Sequence, residues 1–362
     1  MPLHQCREPV AAAAVDADLA PRRREAKKHP LLPGNVLQLT APSLRSDVFT
    51  SRATAPSSAS PIPPRRPASP LLLDALSPAS GRAPVPYPVS LIRGIQTGKD
   101  QWARVWQAEI DVDGKREKVV LKLFVEALFP RPTELSGRRW STAEECYRAE
   151  GDSYAAFSHL QGAIVPFCYG VYDFDLPFGE TVGGIVLEDL TSSAIVLPTW
   201  IQRLRREKLA ERLSETPRAI RAPLPSGSDV DSSDGELDDE VAPLQLDDVQ
   251  LLLDTVFAHL QTLHNCGRGR LAFQPSDILL LRQPRPGGIE IVLLGFAYTT
   301  RAEEREEEYE ELRAQYFERY GRDALRGSTW HNNDRHFLRT NLKSTMGTSV
   351  VNRWEAARST CL

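Results

Sequence analysis

Apolar and polar residues alternate in the first half of the chain, and this pattern predicts an antiparallel β-meander. Residues 90–92, 103–110 and 118–124 each have the composition and spacing of a strand. Asp113-Gly114 lies between the second and third segments, and this pair is typical of a tight hairpin turn. Two further strands are predicted over 170–174 and 184–188.

Two segments have the 3.6-residue period of amphipathic helices. The first covers 141–160, where Ser141 or Thr142 is the predicted N-cap and Glu145 falls in the first turn. The second covers 251–264, with apolar residues at i, i+3 and i+4 spacing. Strands followed by helices, with no regular alternation between them, indicate an α+β fold.

Composition divides the chain into segments of different character. Residues 1–88 are dominated by Ala, Pro, Ser and Arg, and the 28 prolines of the chain are concentrated there, so we expect a long disordered arm. The folded part is expected over 89–190 and 191–320. Residues 203–243 combine a basic run with a Ser- and Asp-rich stretch, which predicts a flexible acidic insert. Residues 321–362 form a weakly patterned tail.

Overall charge and cysteine content exclude several classes of protein. The net charge of -4 arises from 44 basic and 48 acidic residues, so the sequence has no global nucleic-acid footprint. The five cysteines lack C-x-x-C spacing, which favours a reducing compartment. No segment is continuously apolar over the length of a membrane span. We therefore expect a soluble intracellular protein, cytoplasmic or nuclear, that binds neither nucleic acid nor membrane.

Three short patterns have both a functional and a structural interpretation. The basic run 21–28 could serve nuclear import or anion binding, or simply keep the arm soluble. Residues 61–66 have P-x-x-P-x-R spacing, which is typical of polyproline ligands but also arises by chance in proline-rich arms. Ser226, Ser228 and Ser233 each have an acid three residues later, so they are either phosphorylation sites or part of an unmodified loop.

Several short motifs follow one another along the predicted folded part. In chain order they are Val119 to Lys122, Tyr154, Leu160 to Gly162, Gly184 to Leu190, Leu263 to Gly267, Ile278 to Leu280 and Leu293 to Phe296. With these motifs in this order, the chain resembles the protein-kinase superfamily, in particular the compact, divergent kinase-like proteins of fungi. The resemblance extends over about residues 91–300.

The resemblance implies a two-lobed kinase-like fold with a shortened C-lobe and an ATP site between the lobes. Lys122 would contact the nucleotide phosphates, and a helix carboxylate would hold its ammonium group in place. Glu150 is the first candidate for this carboxylate, and Glu145 is the second. The strand that ends at Glu188 and Leu190 would form the hinge whose backbone binds adenine.

The glycine-rich loop of the family is largely absent from this chain. When the motif is aligned on Val105, its three glycines fall on Gly98, Asp100 and Ala103, so one glycine remains. Glycine is needed there because backbone N–H groups must approach the phosphates without obstruction by a Cβ atom. Asp100 adds a repelling charge and Trp102 adds bulk.

The acidic residues of the catalytic motifs are also replaced. Ala272 stands at the position of the general base, and Gly295 stands at the position of the Asp that bridges metal and phosphate. Asp277 replaces the metal-binding Asn and could still hold a magnesium ion. ATP and magnesium are therefore the cofactors implied by the resemblance, although Gly295 replaces the Asp that would bind the metal.

Three hypotheses remain after these substitutions. The first is a pseudokinase that acts by binding a protein partner, as a scaffold or regulator, and retains Lys122 and Glu150 for structure or nucleotide contact. The second is an active, atypical ATP-dependent phosphotransferase that uses Lys122 and Asp277. The third is an interaction protein that imitates the order of the motifs and has no nucleotide pocket.

Overall fold

A computed structural model of the protein describes residues 9–41, 65–76, 85–98, 101–131, 133, 140–215, 246–266, 268–270, 274–282, 289–296, 299–301 and 330–359. The helices are α1 Pro9–Lys28, α2 Pro70–Leu76, α3 Ala143–Ala156, α4 Leu197–Glu215, α5 Leu246–Asn265, α6 Trp330–Met346 and α7 Thr348–Ser359. The strands are β1 Val36–Ala41, β2 Val85–Gln96, β3 Arg104–Val112, β4 Lys115–Leu123, β5 Cys168–Asp175, β6 Thr181–Glu188, β7 Ala194–Val196, β8 Arg268–Arg270, β9 Ile278–Leu281, β10 Ile291–Leu293 and β11 Thr299–Arg301.

Six antiparallel strands close into a barrel in the order β1-β2-β3-β4-β6-β5. The predicted meander β2-β3-β4 is confirmed, and its hairpin turn places Asp113 and Gly114 at positive φ. Strand β1 closes the barrel because it pairs with both β2 and β5, with Leu37 opposite Val89 and Leu39 opposite Phe174. Closure leaves no unpaired edge, and the alternating side chains of each strand fill the interior.

Helix α3 packs against β5 and β6, and its start is fixed by a capping box. The Thr142 hydroxyl accepts a hydrogen bond from the Glu145 N–H at 3.1 Å, while the Glu145 carboxylate accepts one from the Thr142 N–H at 3.0 Å. The predicted N-cap is therefore Thr142. Because the Glu145 carboxylate caps the start of its own helix, the next inward-facing carboxylate of the helix is Glu150, which is fully buried.

A second layer, formed by the sheet β7-β9-β10 and by helices α4 to α7, lies against α3 and the barrel. The predicted helix over 251–264 is confirmed as part of α5. The Trp354 ring of α7 stacks on Phe257 of α5 at 4.7 Å, and its N–H donates to Asp254 at 3.0 Å. In the described part of the chain, no helix is long and apolar enough to cross a bilayer.

The expectation of a disordered arm over 1–88 is wrong for 9–41 and 65–76, which form α1, β1 and α2. Leu37 and Leu39 lie inside the barrel, so the strand is stabilised by burial that its local composition does not reveal. It is also wrong for 85–88, which begin β2 and pair with β1, and the other residues of this segment lie outside the described ranges.

The basic run 21–28 lies within α1 and is partly used for packing. Arg22 forms ion pairs with Glu126 and Glu180, and Arg23 pairs with Asp16 at 2.7 Å. The two Arg22 pairs hold α1 against the barrel, whereas the Arg23–Asp16 pair lies within the helix. Of the P-x-x-P-x-R pattern, the structure describes only the two arginines at its end.

Two expectations for the second half also need correction. The insert predicted over 203–243 begins later, because α4 continues to Glu215, and its three candidate phosphorylation sites lie outside the described residues. The tail predicted as weakly patterned over 321–362 contains α6 and α7. Leu338, Leu342 and Met346 recur at i, i+4 spacing and are buried in the main core.

Candidate functional site

A cleft of about 790 Å³ lies between the barrel and the sheet β7-β9-β10. Its walls come from β2, β3, β4, α3, the segment after β6, and the turns beside β9 and β10. It is lined by both apolar side chains and ionisable groups. Its volume is in the range of small-molecule sites, so it is the candidate functional site of the described structure.

A buried ion pair lies at the inner end of the cleft. The Lys122 ammonium is 2.5 Å from Glu150 Oε2, and the two side chains are 13% and 1% exposed. The Lys122 ammonium also lies 5.5 Å from the centre of the Phe124 ring. Glu150 Oε1 is buried without a hydrogen-bond partner among the described residues. Of the two carboxylates predicted to pair with Lys122, the structure places Glu150 there.

Apolar side chains form a slot next to this ion pair. Val105 and Val120 contribute from β3 and β4, and Leu279 contributes from β9. Leu187 and Leu190 line the side of the slot where β6 ends. These side chains come from both the barrel and the sheet β7-β9-β10, and such an apolar lining favours a ligand with an aromatic or other apolar part.

The segment after β6, predicted as the hinge, is fixed by polar contacts. The Arg66 guanidinium donates to both Glu188 carboxylate oxygens, at 2.9 and 3.0 Å. The Gln107 amide donates to Asp189 at 2.8 Å and to Thr191 at 2.7 Å. Arg66 was missed by sequence reasoning because it lies in a proline-rich segment with no period. The two parallel hydrogen bonds fix the orientation of the Glu188 carboxylate, which lines the cleft.

The predicted phosphate end of the cleft differs from a glycine-rich loop. Gly98 lies in the bend between β2 and β3 and is not among the residues that line the cleft, whereas Trp102 is. The Trp102 ring packs edge-to-face on Phe129 at 5.2 Å and lies 6.5 Å from Trp140. The Arg104 guanidinium points away from the cleft and donates to the Leu128 carbonyl at 2.9 Å.

The predicted catalytic positions lie near the opposite wall. Asp277 lines the cleft, and its carboxylate accepts a hydrogen bond from the Gln274 N–H at 2.9 Å. Gly295 also lines the cleft and has φ +71°, a conformation that glycine adopts without strain. Ala272 lies outside the described residues. The structure therefore brings Lys122, Glu150, Asp277 and Gly295 to one cleft.

Phe296, next to Gly295, links this wall to helix α3. Its ring is fully buried and meets Tyr154 at 5.3 Å and Phe157 at 5.2 Å, both in edge-to-face geometry. The packing fixes Gly295 relative to the helix that carries Glu150. The sequence contained this signal, since Phe296 ends the Leu293 to Phe296 motif on which the kinase resemblance partly rests.

The described thiols do not form a second reactive site. Burial raises the pKa of Cys168 and Cys146 to about 12 and that of Cys266 to about 11, so all three stay protonated at neutral pH. Cys266 lies 3.6 Å from His159, whose pKa is lowered by burial and by Arg65. Within the described ranges, His, Cys, Asp and Glu side chains form no group of three suited to a metal ion.

No protein-family model matches the chain, and no curated protein matches its sequence. Solved structures similar to this one include three crystal structures of the Mycobacterium tuberculosis PknI kinase domain, a single mutant and two double mutants. They show 14 to 15% sequence identity and a TM-score of 0.33, over 59% of this chain and 59 to 62% of theirs. The chain thus spans about three fifths of the length of these domains.

Proposed function

We propose that the protein is a catalytically impaired kinase-like protein, a pseudokinase, whose cleft binds a nucleoside-type ligand. The observation that carries this proposal is the Lys122–Glu150 pair at 2.5 Å, at the inner end of a cleft with an apolar slot. A strand Lys held by a buried helix Glu is the arrangement implied by the kinase resemblance. The order of the motifs along the chain supports the same two-lobed architecture.

The missing acids support the loss of phosphotransfer. Gly295 has no side chain to hold a metal ion, and Ala272 has no group that accepts a proton. Removal of a positioned general base alone costs about 10²- to 10⁴-fold in rate. Each tenfold loss corresponds to about 1.4 kcal/mol of barrier, so the combined loss removes most of the catalytic advantage.

The alternative is an active, atypical phosphotransferase that binds ATP and magnesium through Lys122 and Asp277. It is favoured by the presence of Asp277 on the wall of the same cleft. Two features weigh against it. The Asp277 carboxylate already accepts the Gln274 N–H, and Gly295 has no carboxylate to act as the second metal ligand that the kinase resemblance implies.

Transfer of phosphate separates these two functions. The full chain is incubated with γ-labelled ATP, magnesium and a general protein substrate, beside the Lys122→Met variant, whose folding is checked by circular dichroism. The pseudokinase predicts equal background label in both proteins. Label transferred by the natural chain and lost in Lys122→Met would establish the active phosphotransferase instead.

In a protein without catalysis, the ligand acts by changing which surface is presented to a protein partner. We propose a scaffold or regulator of this kind, intracellular and either cytoplasmic or nuclear. The proposal predicts that a ligand of the cleft changes the affinity for the partner, because a ligand shifts an equilibrium between conformations only by its difference in affinity for them.

A further inference from the structure

The wall that would receive phosphates is occupied by an aromatic ring. Trp102 lines the cleft beside the bend between β2 and β3. Its indole is held by two buried aromatic residues, Phe129 at 5.2 Å and Trp140 at 6.5 Å. The Trp140 N–H is itself fixed by the Pro130 carbonyl at 3.2 Å. The indole is therefore packed in place on this wall of the cleft.

The charges around the cleft also disfavour a polyphosphate. Among the described residues that line it, Arg93 and Lys122 are cations, and Glu150, Glu188 and Asp277 are carboxylates. The Lys122 charge is balanced by Glu150 at 2.5 Å and the Glu188 charge by Arg66 at 2.9 Å, so the described lining has no excess of cations that would offset added phosphates. A triphosphate would bring several further negative charges into this environment, and like charges in a partly desolvated cleft repel strongly.

The remaining features suit a ligand without that charge. The slot between Val120 and Leu279 can cover a planar base. The Lys122 ammonium is already paired with Glu150, and a ligand without charge leaves this pair intact.

We infer that the cleft selects an uncharged nucleoside over the corresponding triphosphate, and that Trp102 is a specificity-determining residue for this choice. The inference rests on the proposed nucleoside-type pocket and narrows its ligand class. It predicts a site that responds to nucleoside concentration and is insensitive to magnesium.

Isothermal titration of the full chain with adenosine and with ATP, the latter with and without magnesium, tests the inference. We expect adenosine to bind more tightly than ATP by about tenfold, with no gain on adding magnesium. ATP with magnesium binding more tightly than adenosine would overturn the inference but leave the proposed pocket intact. No binding of either compound would overturn the pocket and the inference together.

Substitution of Trp102 tests its part in the selection. Trp102→Gly opens the phosphate end, so the affinity for ATP relative to adenosine should rise by about tenfold. Trp102→Phe keeps a ring against Phe129 and should restore the preference for adenosine. An unchanged ratio in Trp102→Gly would show that the indole does not select the ligand.

A second variant tests the charge argument if Trp102→Gly fails to fold. Asp277→Asn removes one negative charge from the cleft and should raise the affinity for ATP. An unchanged affinity would overturn the charge argument.

Discussion

At the inner end of the cleft, the Glu150 carboxylate is buried and depends on the Lys122 ammonium. Lys122→Met leaves this charge unpaired, and breaking a buried pair in this way costs about 3–5 kcal/mol. The double variant Lys122→Met/Glu150→Leu should recover most of this loss, because it removes both charges. Urea unfolding measures the free energies.

The exposed pair Arg203–Glu207 provides the matched control, since its side chains are 71% and 56% exposed. Arg203→Met should change the free energy of unfolding by less than about 0.5 kcal/mol. Equal costs for Lys122→Met and Arg203→Met would contradict the importance assigned to the buried pair.

His259 on α5 should make stability depend on pH. Burial lowers its pKa from 6.5 to about 4, so between these values the unfolded chain binds a proton that the folded chain does not. Stability is complete above pH 6.5 and decreases as the pH falls towards 4, by about 1–2 kcal/mol at pH 5.

His259→Phe removes this titrating group, so the free energy of unfolding should change less between pH 7 and pH 5 than in the natural protein. The exposed His29 serves as a control, and in His29→Gln the change should equal that of the natural protein. Urea unfolding at the two pH values decides, and an unchanged slope in His259→Phe would disprove the assignment.

At the scale of elements, residues 65–76, which include α2, are hydrogen-bonded to the strands and loops beside the cleft, and we call this segment the strap. Besides its two bonds to Glu188, Arg66 donates its backbone N–H to the Gly162 carbonyl at 2.7 Å. The Tyr172 hydroxyl donates to the Leu76 carbonyl at 2.8 Å at the end of α2. The strap thus joins the N-terminal part of the chain to the wall of the cleft.

Arg66→Ala should lower the free energy of unfolding by about 2 kcal/mol, because the partly buried Glu188 carboxylate would lose its cation and keep only the Phe167 N–H at 3.1 Å. Arg66→Lys should recover little, since a lysine cannot form the bidentate contact. Arg116, whose pair with Glu109 is 3.9 Å long and exposed, is the control. A full rescue by lysine, measured by chemical denaturation, would contradict the bidentate strap.

Helices α6 and α7 form part of the main core. Trp354 is 3% exposed, stacks on Phe257 and bonds to Asp254. Trp354→Ala should cost about 3–5 kcal/mol through the cavity it leaves, whereas the exposed Asn352→Ala should cost less than about 0.5 kcal/mol. Thermal unfolding compares them, and equal melting temperatures would show that α7 is not part of the cooperative core.

At the scale of the whole molecule, local patterns predicted the meander, the capped helix α3 and helix α5. Each has its own period and turn or cap residues, so its sequence contains the necessary signal. The Lys122–Glu150 pair was predicted from the kinase resemblance rather than from any local period. The structure places these two residues together, while their function stays a prediction.

The terminal elements were not predicted, for different reasons. Strand β1 is short and lies among proline-rich segments, and it forms because the barrel offers two partner strands. This is tertiary context overriding composition. Helix α6 did have a signal, the spacing of Leu338, Leu342 and Met346, which was hidden by the polar residues between them. The shape of the cleft, with Trp102 at its end, could be described only from the three-dimensional structure, because the residues that line it are far apart in the sequence.

Photolabelling of the full chain with 8-azidoadenosine, followed by peptide mapping, tests the central claim most directly. We predict adducts in peptides that contain Leu187 to Leu190 or Gln274 to Leu279, which excess adenosine suppresses. The variant Val120→Trp, which fills the slot, should lose them. Two results would contradict a nucleoside site next to the Lys122–Glu150 pair. One is labelling elsewhere on the chain, and the other is labelling of the cleft that Val120→Trp leaves unchanged.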